Sequence, residues 1–88
     1  VNLSIMISIA SSYLKKPVDN KTVFIAEVGL TGELKKVPQI KSRLKELERL
    51  GYKKAYIGKC SIDKKEYKNL EIKEMKNIKE VISDVFSK

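Results

Sequence analysis

The sequence contains no histidine, no tryptophan and a single cysteine, Cys60. Without an imidazole the chain holds no serine–histidine or cysteine–histidine couple and no ordinary histidine-containing zinc set. One thiol cannot close an internal disulfide, so Cys60 reads as a reduced thiol with no assigned role. Only four glycines and two prolines are present, which excludes a collagen-like or Gly/Pro-rich disordered polymer. Long apolar runs are missing too. The longest, residues 3–14, is interrupted by Ser4, Ser8, Ser11 and Ser12 and falls short of the roughly 18–20 residues of a membrane span. It also lacks the basic start and small-residue cleavage site of a secretory leader. No membrane partner and a cytoplasmic location are therefore expected. There is no G-x-x-x-x-G-K-[ST] phosphate loop, no Rossmann glycine pattern and no C-x-x-C, so no nucleotide or metal motif is visible.

What remains is a chain of 88 residues, 42% hydrophobic and 34% charged. That length supports one small domain burying roughly 60–65% of the surface its unfolded form exposes. Nineteen Lys and Arg against eleven Asp and Glu give +8, which suits a polyanion or an acidic surface as partner. The excess is local. Residues 1–34 are neutral, residues 35–59 carry nine basic and two acidic side chains for +7, and residues 60–88 carry +1. Val1 stands where a methionine would begin a natural chain and enters an apolar segment at once, as in a piece of something longer.

Apolar residues from Leu3 to Leu14 cover most of a helical wheel, predicting a helix packed on more than one side and ended by Lys15-Lys16-Pro17. Thr22 to Val28 is β-branched and aromatic and reads as a strand covered on both faces. Gly29-Leu30-Thr31-Gly32 then reads as a hairpin turn into a second strand, Glu33 to Val37. Ile40, Leu44, Leu47 and Leu50 fall on one face of a helix that Pro38 opens and Gly51 closes. Short strands are expected at Ala55-Tyr56-Ile57 and Leu70-Glu71-Ile72. A final helix follows, capped by Asn77 with Glu80 at the third position. The order α-β-β-α-β-β-α implies an α+β class with helices packed on a mixed sheet.

The charge excess falls on Lys35, Lys36, Lys41, Arg43, Lys45, Arg49, Lys53, Lys54 and Lys59. On the middle helix Lys41, Lys45 and Arg49 are spaced i, i+4, i+8 on one line, which either tracks phosphates or is a solvated helix face. Tyr52, Tyr56 and Tyr67 either stack on bases or belong to the core. Gly29, Thr31 and Gly32 need no ligand as a plain hairpin turn.

Residues 24–59 resemble the C-terminal domain of the RadA (Sms) family of bacterial DNA-repair ATPases. The family's G-E-V-G-L-x-G-E-[IV]-R-x-V pattern appears as AEVGLTGELKKV at residues 26–37. Its R-L-x-E-A-x-x-L-G-[FY]-K-[RK]-A-[IY] signature appears as RLKELERLGYKKAY at residues 43–56. Upstream, S-S-[FY]-x-x-x-P matches residues 11–17. Ala26 stands where the family often has Gly, and Gly58-Lys59 where it often has Pro-Lys. Beyond residue 59 only the strand-then-helix order matches.

That domain is similar to the proteolytic domain of Lon, with the ribosomal-protein-type β-α-β arrangement. The resemblance implies that residues 1–88 are the later part of such a domain. A zinc finger, a RecA-like ATPase and the first part of the domain would then lie outside this chain, and ATP and zinc are cofactors expected only there. It implies a function without catalysis of its own in recombinational DNA repair. That function is a hexameric ring platform with a basic surface for single-stranded or branched DNA. The contact residues would be Lys35, Lys36, Lys41, Arg43, Lys45, Arg49, Lys53 and Lys54. The fragment alone would form a dimer or a swapped assembly through an unpaired sheet edge. The alternative is a Lon-type Ser-Lys peptidase, with Lys41 at the dyad lysine and the nucleophilic serine before Val1.

Overall fold

The computed structural model describes residues 1–87. Helix α1, Leu3–Leu14, starts at Asn2, whose side chain accepts the Ser4 amide at 2.7 Å, one of the orphan donors every helix N-terminus leaves. It stops at Lys15 in the left-handed region, φ 57°, where the Lys16 amide returns to the Ser11 carbonyl. Lys16 Nζ then ties this end to the Phe86 carbonyl at 2.9 Å.

The apolar segment expected as one strand at Thr22 to Val28 is two, β1 (Thr22–Ile25) and β2 (Glu27–Val28). Ala26 divides them: it is buried, and its carbonyl accepts the Leu3 amide at 3.0 Å. That bond diverts the chain from one sheet to another. β1 joins a parallel sheet of order β1-β4-β5, with β4 at Lys54–Gly58 and β5 at Glu71–Met75. β2 forms the expected hairpin with β3 (Leu34–Lys35), Val28 opposite Leu34. The parallel and antiparallel pairings thus sit in separate sheets within the α+β class.

Alternation along β4 builds a core on each face of the parallel sheet. Ala55 and Ile57 face α2 (Ile40–Arg49), packing with Ile25, Ile40, Leu44, Tyr67, Leu70 and Ile72. Tyr56 faces the other way, toward Leu3 and Ile7 of α1 and Val81 and Phe86 of α3 (Ile78–Phe86). Gly51, at φ +97°, closes α2 as its position predicts. In α3 the Asn77 side chain accepts the Glu80 amide while Glu80 reaches back to the Lys76 amide.

The first helix departs from expectation. Only Leu3 and Ile7 are buried, while Ile5, Ile9 and Tyr13 are 56%, 64% and 86% exposed. They fall at four-residue steps on one outward line. No helix among the described residues is long and apolar enough to cross a membrane.

Candidate nucleic-acid interface

The line of cations foreseen on α2 forms as a helix requires, but partners on the chain engage two of its three members. Arg49 grips the Glu46 carboxylate with both Nε and a terminal nitrogen, the i, i+3 pairing that helix geometry favours. Each holds the other in its charged form: Glu46 is lowered and Arg49 raised, chiefly by that hydrogen bond. Lys45 donates to the Glu66 carbonyl, lies 4.8 Å from the Tyr67 ring centroid and sits 3.8 Å from Glu48. Its charge fastens α2 to the short 3-10 turn at Lys64–Glu66.

The remaining predicted residues separate into different places. Lys53 and Lys54 stand at the amino end of β4, Lys53 exposed and Lys54 half-buried. There Lys54 adds to the field that lowers Asp84. Arg43 points away from Lys41, since two helical steps turn about 200°. It lines a groove of about 940 Å³ between α1, β1 and α2. Lys36 and Lys41 are exposed near the carboxyl end of β4, where both act electrostatically on Cys60. Lys35 is exposed on β3 opposite Glu27. Strand β4 itself separates Lys54 from Lys59 by roughly 16 Å. The +7 segment is therefore not one patch.

Of the tyrosines, Tyr56 and Tyr67 are core residues, 2% and 4% exposed. Tyr52 packs half-buried against the α2 cluster. Tyr56 and Tyr67 therefore offer no open ring face of the kind that base stacking needs, and Tyr52 lines the groove between α1, β1 and α2. The glycine turn is filled from within the chain: Glu33 places its carboxylate against Gly29 and accepts from the Thr31 hydroxyl and amide. The Thr31 hydroxyl bond is the main cause of the lowered Glu33 pKa. Burial raises the Cys60 thiol, and Glu74 adds to this against the opposing lysines. Among the described residues no serine hydroxyl is hydrogen-bonded to Lys41, and no three His, Cys, Asp or Glu side chains form a metal-holding group.

One polar cluster has no counterpart in the sequence reading. Asp84 of α3 accepts from the Tyr56 hydroxyl and from Lys73 Nζ at 2.8 Å, and Tyr56 stacks on Phe24 at 5.3 Å. Lys73, then Tyr56, holds the Asp84 carboxyl below its usual range. Burial, then Asp84, drives the Tyr56 phenol far up, and Asp84 raises Lys73. A depressed carboxyl stabilises the fold above its unfolded pKa of about 3.9, and that contribution is lost as pH falls through the folded value. Raised Tyr56 and Lys73 contribute below about pH 10, and theirs is lost as pH rises through the folded values. Asp84→Asn is accordingly expected to flatten both the acid and the alkaline limbs of stability against pH, read from urea midpoints across the range. Unchanged limbs would deny the cluster a role.

No family model matches the chain. The DNA repair protein RadA of Streptococcus pneumoniae is 35% identical over 88 residues, 99% of this chain. RadA of Bacillus subtilis is 44% identical over 63 residues, 72% of the chain, and RadA of Listeria monocytogenes 44% over 59 residues. The chain belongs to the RadA family of DNA repair proteins. It spans about one fifth of the length of the Streptococcus RadA proteins it matches, 21% and 19% for the two species, and corresponds to their C-terminal part. The RadA matches in Bacillus and Listeria span 63 and 59 residues.

Proposed function

We propose that this chain is a non-catalytic domain of a RadA-type protein that holds DNA by its phosphates during recombinational repair. The carrying observation is an excess of exposed cations without acid partners on a member of a DNA repair family. Among the described residues Lys35, Lys36, Lys41, Arg43 and Lys53 are exposed and make no ion pair. Lys45, bound to the Glu66 carbonyl, and Arg49, paired with Glu46 on its own helix, are set aside as phosphate contacts. Unpaired surface lysines cost little to bring against a phosphate backbone and gain from counterion release. Binding of a short fluorescent single-stranded or branched oligonucleotide, followed by anisotropy at low salt, tests this. Measurable binding that weakens with salt supports it, and no binding at low salt contradicts it. The peptidase alternative draws on Lys41 alone.

A second role, self-association, draws on a separate observation. β1 is an edge strand of the parallel sheet, and its Thr22–Ile25 backbone floors the groove between α1 and α2. The groove's α1 wall is Ser4, Ile7, Ser8, Ser11 and Ser12, and Ile5, Ile9 and Tyr13 form an uncharged line on the outward face of the same helix. An open edge beside a neutral, apolar helix is where two copies carrying +8 each can meet with least repulsion. We propose a dimer through this surface for the isolated chain and ring assembly for a full-length relative. Ile9→Lys is expected to shift the chain from dimer to monomer on sizing, and a chain that is monomeric at every concentration contradicts the dimer.

A further inference from the structure

Three strands converge at one end of the molecule. β4 ends at Gly58 and β5 at Met75, directly opposite in the register, so Lys59 and Lys76 follow side by side. β3 lies across both ends. A side chain on Gly58 would stand 3.1 Å from the Lys35 carbonyl carbon and 3.2 Å from the Leu34 carbonyl, and the Leu34 amide donates to the Lys76 carbonyl at 2.9 Å. The bare glycine is what allows this approach, because a Cβ there would press on backbone that has little room to move. Two depressions open at the junction. One, of about 510 Å³, is lined by Lys36, Lys59, Cys60, Ser61 and Glu74. Its neighbour, of about 690 Å³, shares Lys59 and Glu74 and is lined further by Lys64, Lys76, Lys79, Glu80 and Asp84.

We propose that this carboxyl edge of the parallel sheet, with Lys36, Lys41 and Lys59 near Cys60 and Lys76 and Lys79 beside the adjoining depression, is the site that takes the backbone phosphates of DNA. It rests on the DNA-contact function proposed above and says where on the molecule that contact is made. The acids at this end are engaged within the chain. Glu74 accepts the Cys60 amide at 3.2 Å and lies 3.9 Å from Lys64, Glu80 accepts the Lys76 amide, and Asp84 is held by Lys73 and Tyr56. The five lysines make no ion pair among the described residues, and Glu74, Glu80 and Asp84, which line the same depressions, temper their field without pairing with them. The ligand's chemistry is that of a polyanion: compact ammonium heads around shallow, open depressions fit spaced phosphodiester oxygens.

Cys60, the one thiol, reports on this site. Its rate of alkylation by a maleimide is measured with and without a short single-stranded oligonucleotide at low salt, beside oligonucleotide binding by two doubly substituted chains. The proposal expects DNA to slow alkylation severalfold and added salt to restore it. Lys59→Glu with Lys76→Glu is expected to weaken DNA binding at least about tenfold more than Lys21→Glu with Lys68→Glu, an equal charge change elsewhere on the surface. If the chain binds DNA while Cys60 reacts at an unchanged rate and the two double variants bind alike, this site is wrong and the DNA-contact function stands. If no DNA binds at low salt, the function and the site fall together. Protection of Cys60 by inorganic phosphate but not by DNA overturns the assignment to a nucleic acid backbone.

Discussion

Raising salt from about 50 to about 200 mM is expected to weaken binding of single-stranded DNA on the order of 100-fold, since about five phosphate contacts give a slope near −3.5. The number of contacts follows from which lysines the fold leaves unpaired at the carboxyl edge. Had all the cations of residues 35–59 served as contacts, the nine basic side chains there would give a slope near −6. Lys45 and Arg49 cannot contribute without breaking their bonds to Glu66, Glu48 and Glu46, and Lys53 and Lys54 lie at the other end of β4. The slope thus separates a compact site from a diffuse basic surface. An affinity independent of salt would rule out phosphate contact of either kind.

Leu44→Ala is expected to cost about 3 kcal/mol of folding stability, a large share of the roughly 4–13 kcal/mol available to a chain of this length. Leu44 is fully buried and packs from α2 against Ile25, Ala55, Ile57 and Ile72. α2 has only ten residues, too few to persist alone, and Ile40 and Leu44 are its two buried residues. Losing that anchor loosens the helix that positions Lys41, so DNA binding should weaken along with the urea midpoint while the m-value stays constant. A loss below about 1 kcal/mol would mean that α2 is not docked through this face.

Local signals carried much of the fold. Asn77 with Glu80, Gly51 and the Ile40–Leu44–Leu47 stripe each rest on neighbours three or four residues away, and each appears where the sequence places it. The break at Ala26 is marked in TVFIAEV only by Ala26 and Glu27, two weak strand formers among strong ones, too slight a signal to split a strand. What interrupts it is the Leu3 amide, which arrives from the start of the chain. The outward face of α1 departs from expectation for a related reason: apolar residues around a helical wheel state what can be buried, and only Leu3 and Ile7 are, with Met6 and Ala10 packed partly against the core. The resemblance carried the family, through motifs in residues 11–56.

The binding residues were legible only in part. The Glu46–Arg49 pair was within reach of helix spacing, whereas the contacts of Lys45 with Glu66 and Tyr67 cross about twenty residues that include the end of α2 and all of β4 and leave no periodic trace. Lys59, Lys76 and Lys79 meet Lys36 because parallel pairing aligns the ends of β4 and β5 and because Gly58 admits β3. A count by segment assigns them to stretches of different charge and separates what the sheet brings together.

The most direct test is residue-resolved NMR of the 88-residue chain titrated with single-stranded DNA at low salt, following backbone amide shifts. The account predicts that Lys36, Lys59, Cys60 and Lys76 move together, with Thr22, Lys54 and Glu71 at the amino ends of the parallel strands still. Shifts confined to those amino ends or to the α1–α2 groove, or no shifts at all, would contradict it.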